Sequence, residues 1–297
     1  MSDAPRHGLV ALAGLPPALL PEVQALAARC NRAEGLDLKL NLIPERSTEA
    51  ELADRFLYFE QGALVGFLGL DGTPEVELCG CVDPAYRRRG IGSLLLAAAS
   101  EICKQRGLAS VLVICEQASS SGKAFLAPLA APIRGAEYRM RCAVSSWEPP
   151  RRPLELREAG PGDLPALARI IGSAFGNPPE VVEQRIKADL LVGGQRYFIG
   201  VSDGRPVSGL KLFFENGRAY VYAFGVAAEL RGGGYGRATL VQTLEMLRDG
   251  GWPEVLLEVD VDNEVALNLY RRCGFDIITQ YDYHALDLRR PAEERRA

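Results

Sequence analysis

The string R-x-x-G-x-G occurs twice in this chain, as RRRGIG at Arg87–Gly92 and RGGGYG at Arg231–Gly236, with the copies 144 residues apart in a total of 297. The same offset places Val10 and Leu12 on Leu154 and Leu156, Leu20-Pro21 on Leu164-Pro165, and Leu26 on Ile170. A repeat of nearly half the chain implies two copies of one architecture, each large enough to bury a core of its own. Between them, SSWEPPRRP (145–153) combines prolines with arginines and has no apolar period, the composition of an exposed linker. The expected organisation is an N-terminal domain at 1–146, a linker at 147–153 and a C-terminal domain at 154–297.

The elements are clearer in the second copy. LELREAGPGDLPALARII reads as strand, turn and helix, with Asp163 at the helix N-cap. Strand-like runs at 197–201, 207–214 and 219–226 are separated by the turn-forming SDGRP and ENGR, which predicts an antiparallel meander. After RGGGYG, the residues Leu240, Leu244 and Leu247 recur at helical spacing; EVLLEVDV then reads as a strand and EVALNLYRRC as a helix. The fold class is therefore α/β, of the α+β kind: two domains, each a mixed, mostly antiparallel sheet flanked by helices.

Composition removes several function classes. A formal charge of −4 gives no overall attraction to nucleic acid or anionic lipid. The opening MSDAPRHGLVALAGLPPALL is broken by Asp3 and prolines, and no apolar run approaches the length of a membrane span, so a cytoplasmic protein is expected. His7 and His284 are the only histidines, which argues against a His-rich metal centre; the expectation is no metal. Seven cysteines, an odd number without a CxxC pair, read as mostly reduced and buried.

Glycines between a strand and a helix let the backbone curl so that several N–H groups and the helix dipole converge on one anion. R-x-x-G-x-G can thus hold a pyrophosphate, with Arg231 either bracing the turn or touching phosphate; it can also be merely a turn. A dinucleotide fingerprint, with Glu254 or Glu258 meeting a ribose, is opposed by the glycine spacing and by the meander that precedes the loop. A second constellation decides: Asn263, Ala266, Tyr270, Gly274 and Phe275 form N-x-x-A-x-x-x-Y-x-x-x-G-F directly after a strand. The first three lie three and four residues apart, on one helical face, and Gly274 suits a helix end.

Together, VAAELRGGGYG and DNEVALNLYRRCGF resemble the GNAT superfamily of acyl-CoA N-acyltransferases. The resemblance covers residues 154–288 and, more weakly, 8–142 through VDPAYRRRGIGSLL, so the chain looks like a tandem GNAT. It implies that the fourth and fifth strands splay and that the pantetheine arm of acetyl-CoA lies in the gap, flanked by Phe224 and Val226. It also implies that the pyrophosphate meets Arg231, Gly232, Gly233, Gly234, Tyr235 and Gly236, with Asn263 beside the cofactor. The corresponding loop of the first half is Arg87, Arg88, Arg89, Gly90, Ile91 and Gly92. Tyr270 would be the general acid that protonates the departing thiolate. The implied partner is an amine of a small molecule or a peptide, in a monomer or homodimer.

Many relatives carry a glutamate base on the fourth strand. Strict alternation puts Tyr220, Tyr222, Phe224 and Val226 on one face here and Val221, Ala223 and Gly225 on the other, with no carboxylate. Glu258 is the first candidate base and Glu215 the second. The first half has Glu75 and Glu77 on its fourth strand, but Pro128 and Pro132 disrupt the later helix, and Phe125 is the nearest aromatic to the general-acid position. Catalysis is therefore expected in the second half. The rival reading is a non-catalytic acyl-CoA sensor or scaffold.

Overall fold

The computed structural model describes residues 6–40, 42, 52–72, 75–143, 152–192, 194–215 and 217–289. The chain forms two compact units, Met1–Ala136 with Thr279–Ala297, and Glu137–Ile278.

In the first unit β1 (Gly8–Leu12), β2 (Arg55–Glu60), β3 (Ala63–Asp71) and β4 (Glu77–Val82) run antiparallel in that order. Strand β5 (Ser110–Glu116) joins β4 in parallel. Helix α1 (Leu20–Glu34) covers one face through Val23, Leu26 and Cys30; α2 (Ile91–Gln105) covers the other through Leu95, Ala99 and Cys103. Helix α3 (Ser120–Leu126) follows β5.

The second unit repeats this plan. Strands β7 (Glu155–Glu158), β8 (Gln195–Ser202), β9 (Arg205–Glu215) and β10 (Arg218–Val226) form the meander, and β11 (Glu254–Asp260) lies parallel to β10. Helices α4 (Leu164–Phe175) and α5 (Pro179–Val192) cover one face. Helices α6 (Tyr235–Asp249) and α7 (Glu264–Arg272) cover the other, where Leu240, Leu244 and Leu247 meet Val221, Val255 and Leu257 as the periodicity predicts. Glycine is required where α4 approaches the sheet: a Cβ at Gly209 would stand 2.5 Å from Leu167, and one at Gly225 2.9 Å from Ala174.

The units do not divide at the proline-rich segment, and the reason lies in two long strands. Strand β6 (Ile133–Ala143) ends the first half of the sequence, yet its residues 137–143 pair antiparallel with β11. Strand β12 (Asp276–Asp287) ends the second half, yet Tyr281–Asp287 pair antiparallel with β5. Each half-sequence thus donates its last strand to the other half's sheet. Each of these strands pairs along seven registered positions, whereas residues 147–151 of the expected linker lie outside the described residues. The expected 1–146 and 154–297 halves remain a sequence repeat, whereas the compact units are exchanged at 136/137 and 278/279.

Three other sequence readings are refined. Helix α3 does form but is short, and the turn at Pro128 ends it after Leu126. Asp163 does sit at the start of α4, but its carboxylate accepts from the Gly160 N–H at 2.8 Å and from Arg157, one turn earlier than an ordinary N-cap bond. Glu75 lies before β4 and pairs with Arg134 at 3.4 Å, so only Glu77 belongs to the strand.

The exchange has a direct test. Tyr281, Leu286 and Leu288 are almost completely buried in the first unit, and burial of such side chains stabilises by about 1.5–3 kcal/mol each. Deleting residues 279–297 is expected to abolish hydrogen-exchange protection across Ser110–Glu116 while leaving Glu254–Asp260 protected. Loss confined to the second unit would contradict the strand assignment.

Candidate active site

The parallel ladder between β10 and β11 has three registered pairs and ends at Val221–Leu257, although β10 continues to Val226 and β11 to Asp260. Beyond that point β10 runs on, and its edge from Ala223 to Val226 lies outside the ladder. Such an edge offers N–H and C=O groups to any extended, amide-bearing ligand.

A β-bulge sits in the same stretch. Tyr222 faces Lys211 but Gly225 faces Gly209, so β10 spends three residues where β9 spends two, and Ala223 takes φ of 49°. The extra residue inverts the alternation. Ala219 and Val221 before the bulge, and Phe224 and Val226 after it, face α6 and α7. Tyr220 and Tyr222 face the α4–α5 side, with their rings stacked at 6.1 Å and Lys211 5.6 Å over Tyr222. The single face expected for Tyr220, Tyr222, Phe224 and Val226 is therefore corrected to two. The sequence signal was present in the small residues Ala223 and Gly225 within a strand pattern.

Where β10 ends, Arg231 braces the turn: its Nε donates to the Val226 carbonyl at 3.2 Å and its Nη2 to the Ser173 carbonyl and Oγ, each at 3.0 Å. Gly232 and Gly234 take φ of 76° and 89°, in the left-handed region that disfavours side chains. No side chain caps the N-terminus of α6 at Gly234, and the first N–H groups of a helix have no carbonyl one turn back. Tyr235, Gly236 and Arg237 thus present donors outward at the positive end of the helix dipole. A Cβ at Gly236 would lie 3.2 Å from Leu269, which keeps α6 and α7 close. Arg152, from the segment read only as linker, donates to the Gly233 carbonyl at 3.0 Å and lies 5.8 Å over the Tyr235 ring. Sequence reasoning missed it, although the paired arginines of PPRRP were a visible basic signal.

Tyr270 on α7 is buried against Phe224 and Phe275, with ring centroids 6.5 and 5.9 Å away. Burial raises its pKa to about 12, with a lesser push from Cys273, so the phenol keeps its proton through neutral pH. Asn263 is the N-cap of α7, its Oδ1 accepting from the Ala266 N–H at 3.1 Å. The helical spacing of Asn263, Ala266 and Tyr270 is therefore a capped turn followed by one face.

Glu258 lies on the α4–α5 side of β11, where its Oε1 accepts from Arg139 Nη2 at 2.8 Å and Nε at 3.2 Å. A carboxylate held by a guanidinium is a weaker base than a solitary one. Glu215 differs: burial raises its pKa, and the Arg139 charge only partly opposes this. It stands opposite Arg218 at the far end of the β9–β10 pairing, on the other side of Tyr220 from the bulge.

The first-half loop copies the second closely. Arg87 Nε donates to the Val82 carbonyl at 3.0 Å, as Arg231 does to Val226, and Gly90 matches Gly234 with φ of 83°. Arg88 adopts φ of 62° where the second loop has Gly232. Arg88 and Arg89 are exposed, Gly92 packs on the Phe125 ring, and Ile91 turns into the core, leaving only its N–H for a ligand. The β3–β4 register is unbroken, so this half lacks the bulge. By the same 144-residue offset Leu126, not Phe125, occupies the Tyr270 position, and Phe125 matches Leu269.

Among the described residues, no group of three His, Cys, Asp or Glu side chains is placed to hold a metal, and no helix is long and apolar enough to cross a membrane.

Comparison with known proteins places this geometry. Mycothiol acetyltransferase of Thermomonospora curvata is 30% identical over 91% of this chain and 94% of its own length. That of Streptomyces coelicolor is 29% identical over 74% of this chain and 75% of its own. Among solved structures, a tandem GNAT protein from the clavulanic acid biosynthesis pathway superposes with a TM-score of 0.73 at 18% identity, covering 95% of this chain and 99% of that one. A GCN5-related N-acetyltransferase from Sphaerobacter thermophilus gives 0.71 at 23%, covering 95% and 96%. The acetyltransferase (GNAT) family profile matches twice, at residues 20–125 and 164–275. The chain belongs to the acetyltransferase (GNAT) family, with one family region in each half of its sequence.

Proposed function

We propose that the second unit transfers the acetyl group of acetyl-CoA to a primary amine by direct attack. The observation that carries this reading is the coincidence, in one unit, of a strand gap, an uncapped glycine-bounded helix N-terminus and a buried protonated phenol. Acetyl-CoA would supply the activated acetyl group as a thioester. The N–H groups of Tyr235, Gly236 and Arg237 suit its pyrophosphate, with Arg152 adding positive charge beside the loop. The edge of β10 from Ala223 to Val226, beyond the β10–β11 ladder, suits the two amides of the pantetheine arm, and Phe224 and Val226 offer it apolar surface. Tyr270 holds a proton for the thiolate that leaves. Burial keeps this phenol protonated at neutral pH, so it can donate a hydrogen bond to the sulfur as negative charge develops there.

The amine side of the reaction falls to the α4–α5 face, where Tyr220 and Tyr222 form an aromatic wall next to the Arg139–Glu258 pair. Glu258 is nearer the gap, because its neighbour Leu257 is the last residue in the β10–β11 ladder. The Arg139 contact lowers its worth as a base, so an amine that arrives uncharged, or a water relayed to Glu215, meets the chemical need better. The curated relatives are named mycothiol acetyltransferases, so the first acceptors to test are those of mycothiol chemistry. The absence of a carboxylate from β10 leaves other small-molecule or peptide amines within the same reading.

Tyr270→Phe is expected to keep acetyl-CoA affinity and lower kcat by roughly 10²–10⁴, the usual worth of general-acid catalysis. Unchanged turnover with chemistry rate-limiting would remove the tyrosine from the mechanism. Gly234→Val puts a β-branched residue at φ of 89°, where non-glycine backbone costs roughly 1–2 kcal/mol. Calorimetry is expected to find acetyl-CoA affinity reduced at least tenfold while the protein stays folded. Binding without thiol release across an amine panel would instead favour a sensor.

A further inference from the structure

The two loops differ in what holds their leading arginine. Arg231 donates to neutral acceptors only, the Val226 carbonyl and Ser173. Arg87 instead forms an ion pair with Glu34, the last residue of α1. The same carboxylate accepts from Ser121 Oγ at 2.6 Å, the Ser121 N–H at 3.1 Å and Ser120 Oγ at 3.1 Å, with Ser119 Oγ at 3.4 Å.

These partners come from opposite sides of the first unit's strand gap. The β4–β5 ladder ends at Leu78–Val113, and β4 then runs to Val82 and β5 to Glu116. Arg87 follows β4 and Ser119–Ser121 follow β5, so Glu34 ties the two strand ends together. It also occupies the Ser121 N–H at the start of α3 and neutralises the arginine of the glycine loop. Burial raises its pKa, but the two Ser121 bonds and the Arg87 charge outweigh that and leave it at about 2, so the carboxylate is charged throughout the neutral range.

We infer that Glu34 is an internal latch that fills the first unit's acyl-CoA position with the protein's own carboxylate, so that each chain takes up one acyl-CoA, in the second unit. The latch acts twice. It bridges the gap through which an extended arm would thread, and it places negative charge beside the loop where a pyrophosphate would sit. This rests on the proposed acyl-CoA site of the second unit for the count of one. The role of Glu34 within the first unit can fail or hold by itself.

Calorimetric titration of the full chain with acetyl-CoA separates the two. The wild type is expected to bind one equivalent and Gly234→Trp none. Glu34→Ala is expected to gain one equivalent in the first unit, weaker than the second unit's by roughly tenfold or more because the β10 bulge has no counterpart there. The double variant Glu34→Ala with Gly234→Trp should keep that gained site. Glu34→Gln, which preserves size while removing charge, is expected to gain it too and serves if the alanine variant does not fold. Two equivalents in the wild type, one retained in Gly234→Trp, or no gained site in the Glu34 variants would overturn the latch. No binding to the wild type with one equivalent gained in Glu34→Ala would keep the latch and remove the second-unit site.

Discussion

The chemistry proposed for this chain depends on a β-ladder that stops early. Pairing of β10 with β11 as far as Val221–Leu257 fixes the two strands, and its end there leaves Ala223–Val226 of β10 beyond the ladder. The same three pairs set Val221, Val255 and Leu257 into the core under α6. Everything at the gap is therefore anchored by packing that begins one residue away. The glycine loop starts from the end of β10, held by Arg231 through the last carbonyl of that strand, and α7 returns Tyr270 to the other side of the opening.

Within this frame the bulge at Ala223 decides which side chains meet. Without it, Phe224 would share a face with Tyr220 and Tyr222; with it, Phe224 turns to Tyr270 and the two tyrosines turn to the α4–α5 side. One added residue thus separates a surface for the thioester arm from a surface for the amine. The first unit, whose β3–β4 register is unbroken, has no such separation and places Leu126 where Tyr270 would be. The two halves share a backbone plan and differ at the few positions that carry chemistry.

Much of this was legible in the sequence. The 144-residue offset carries the loop conformation itself, since Gly90 and Gly234 share a left-handed φ and Arg87 and Arg231 make the same bond to a strand-end carbonyl. The α6 core stripe followed from Leu240, Leu244 and Leu247. What could not be read were features without a local signature. Strand exchange depends on which sheet edge a strand joins, and residues 137–143 and 281–287 have the same pattern whichever edge they choose. Arg139 is a surface residue by type and becomes the partner of Glu258 only through that exchange. Arg152 reaches its loop from the segment read as a linker, and Glu34 reaches its loop from the end of α1, where no sequence signal marks it as a partner.

The central claim is that one loop of the two receives the cosubstrate. Amide hydrogen exchange of the whole chain with and without acetyl-CoA reads both loops in a single experiment. Added protection at residues 222–226 and 232–237, with 88–92 unchanged, is the result this account expects. Protection at 88–92 with the second loop unaffected would contradict it.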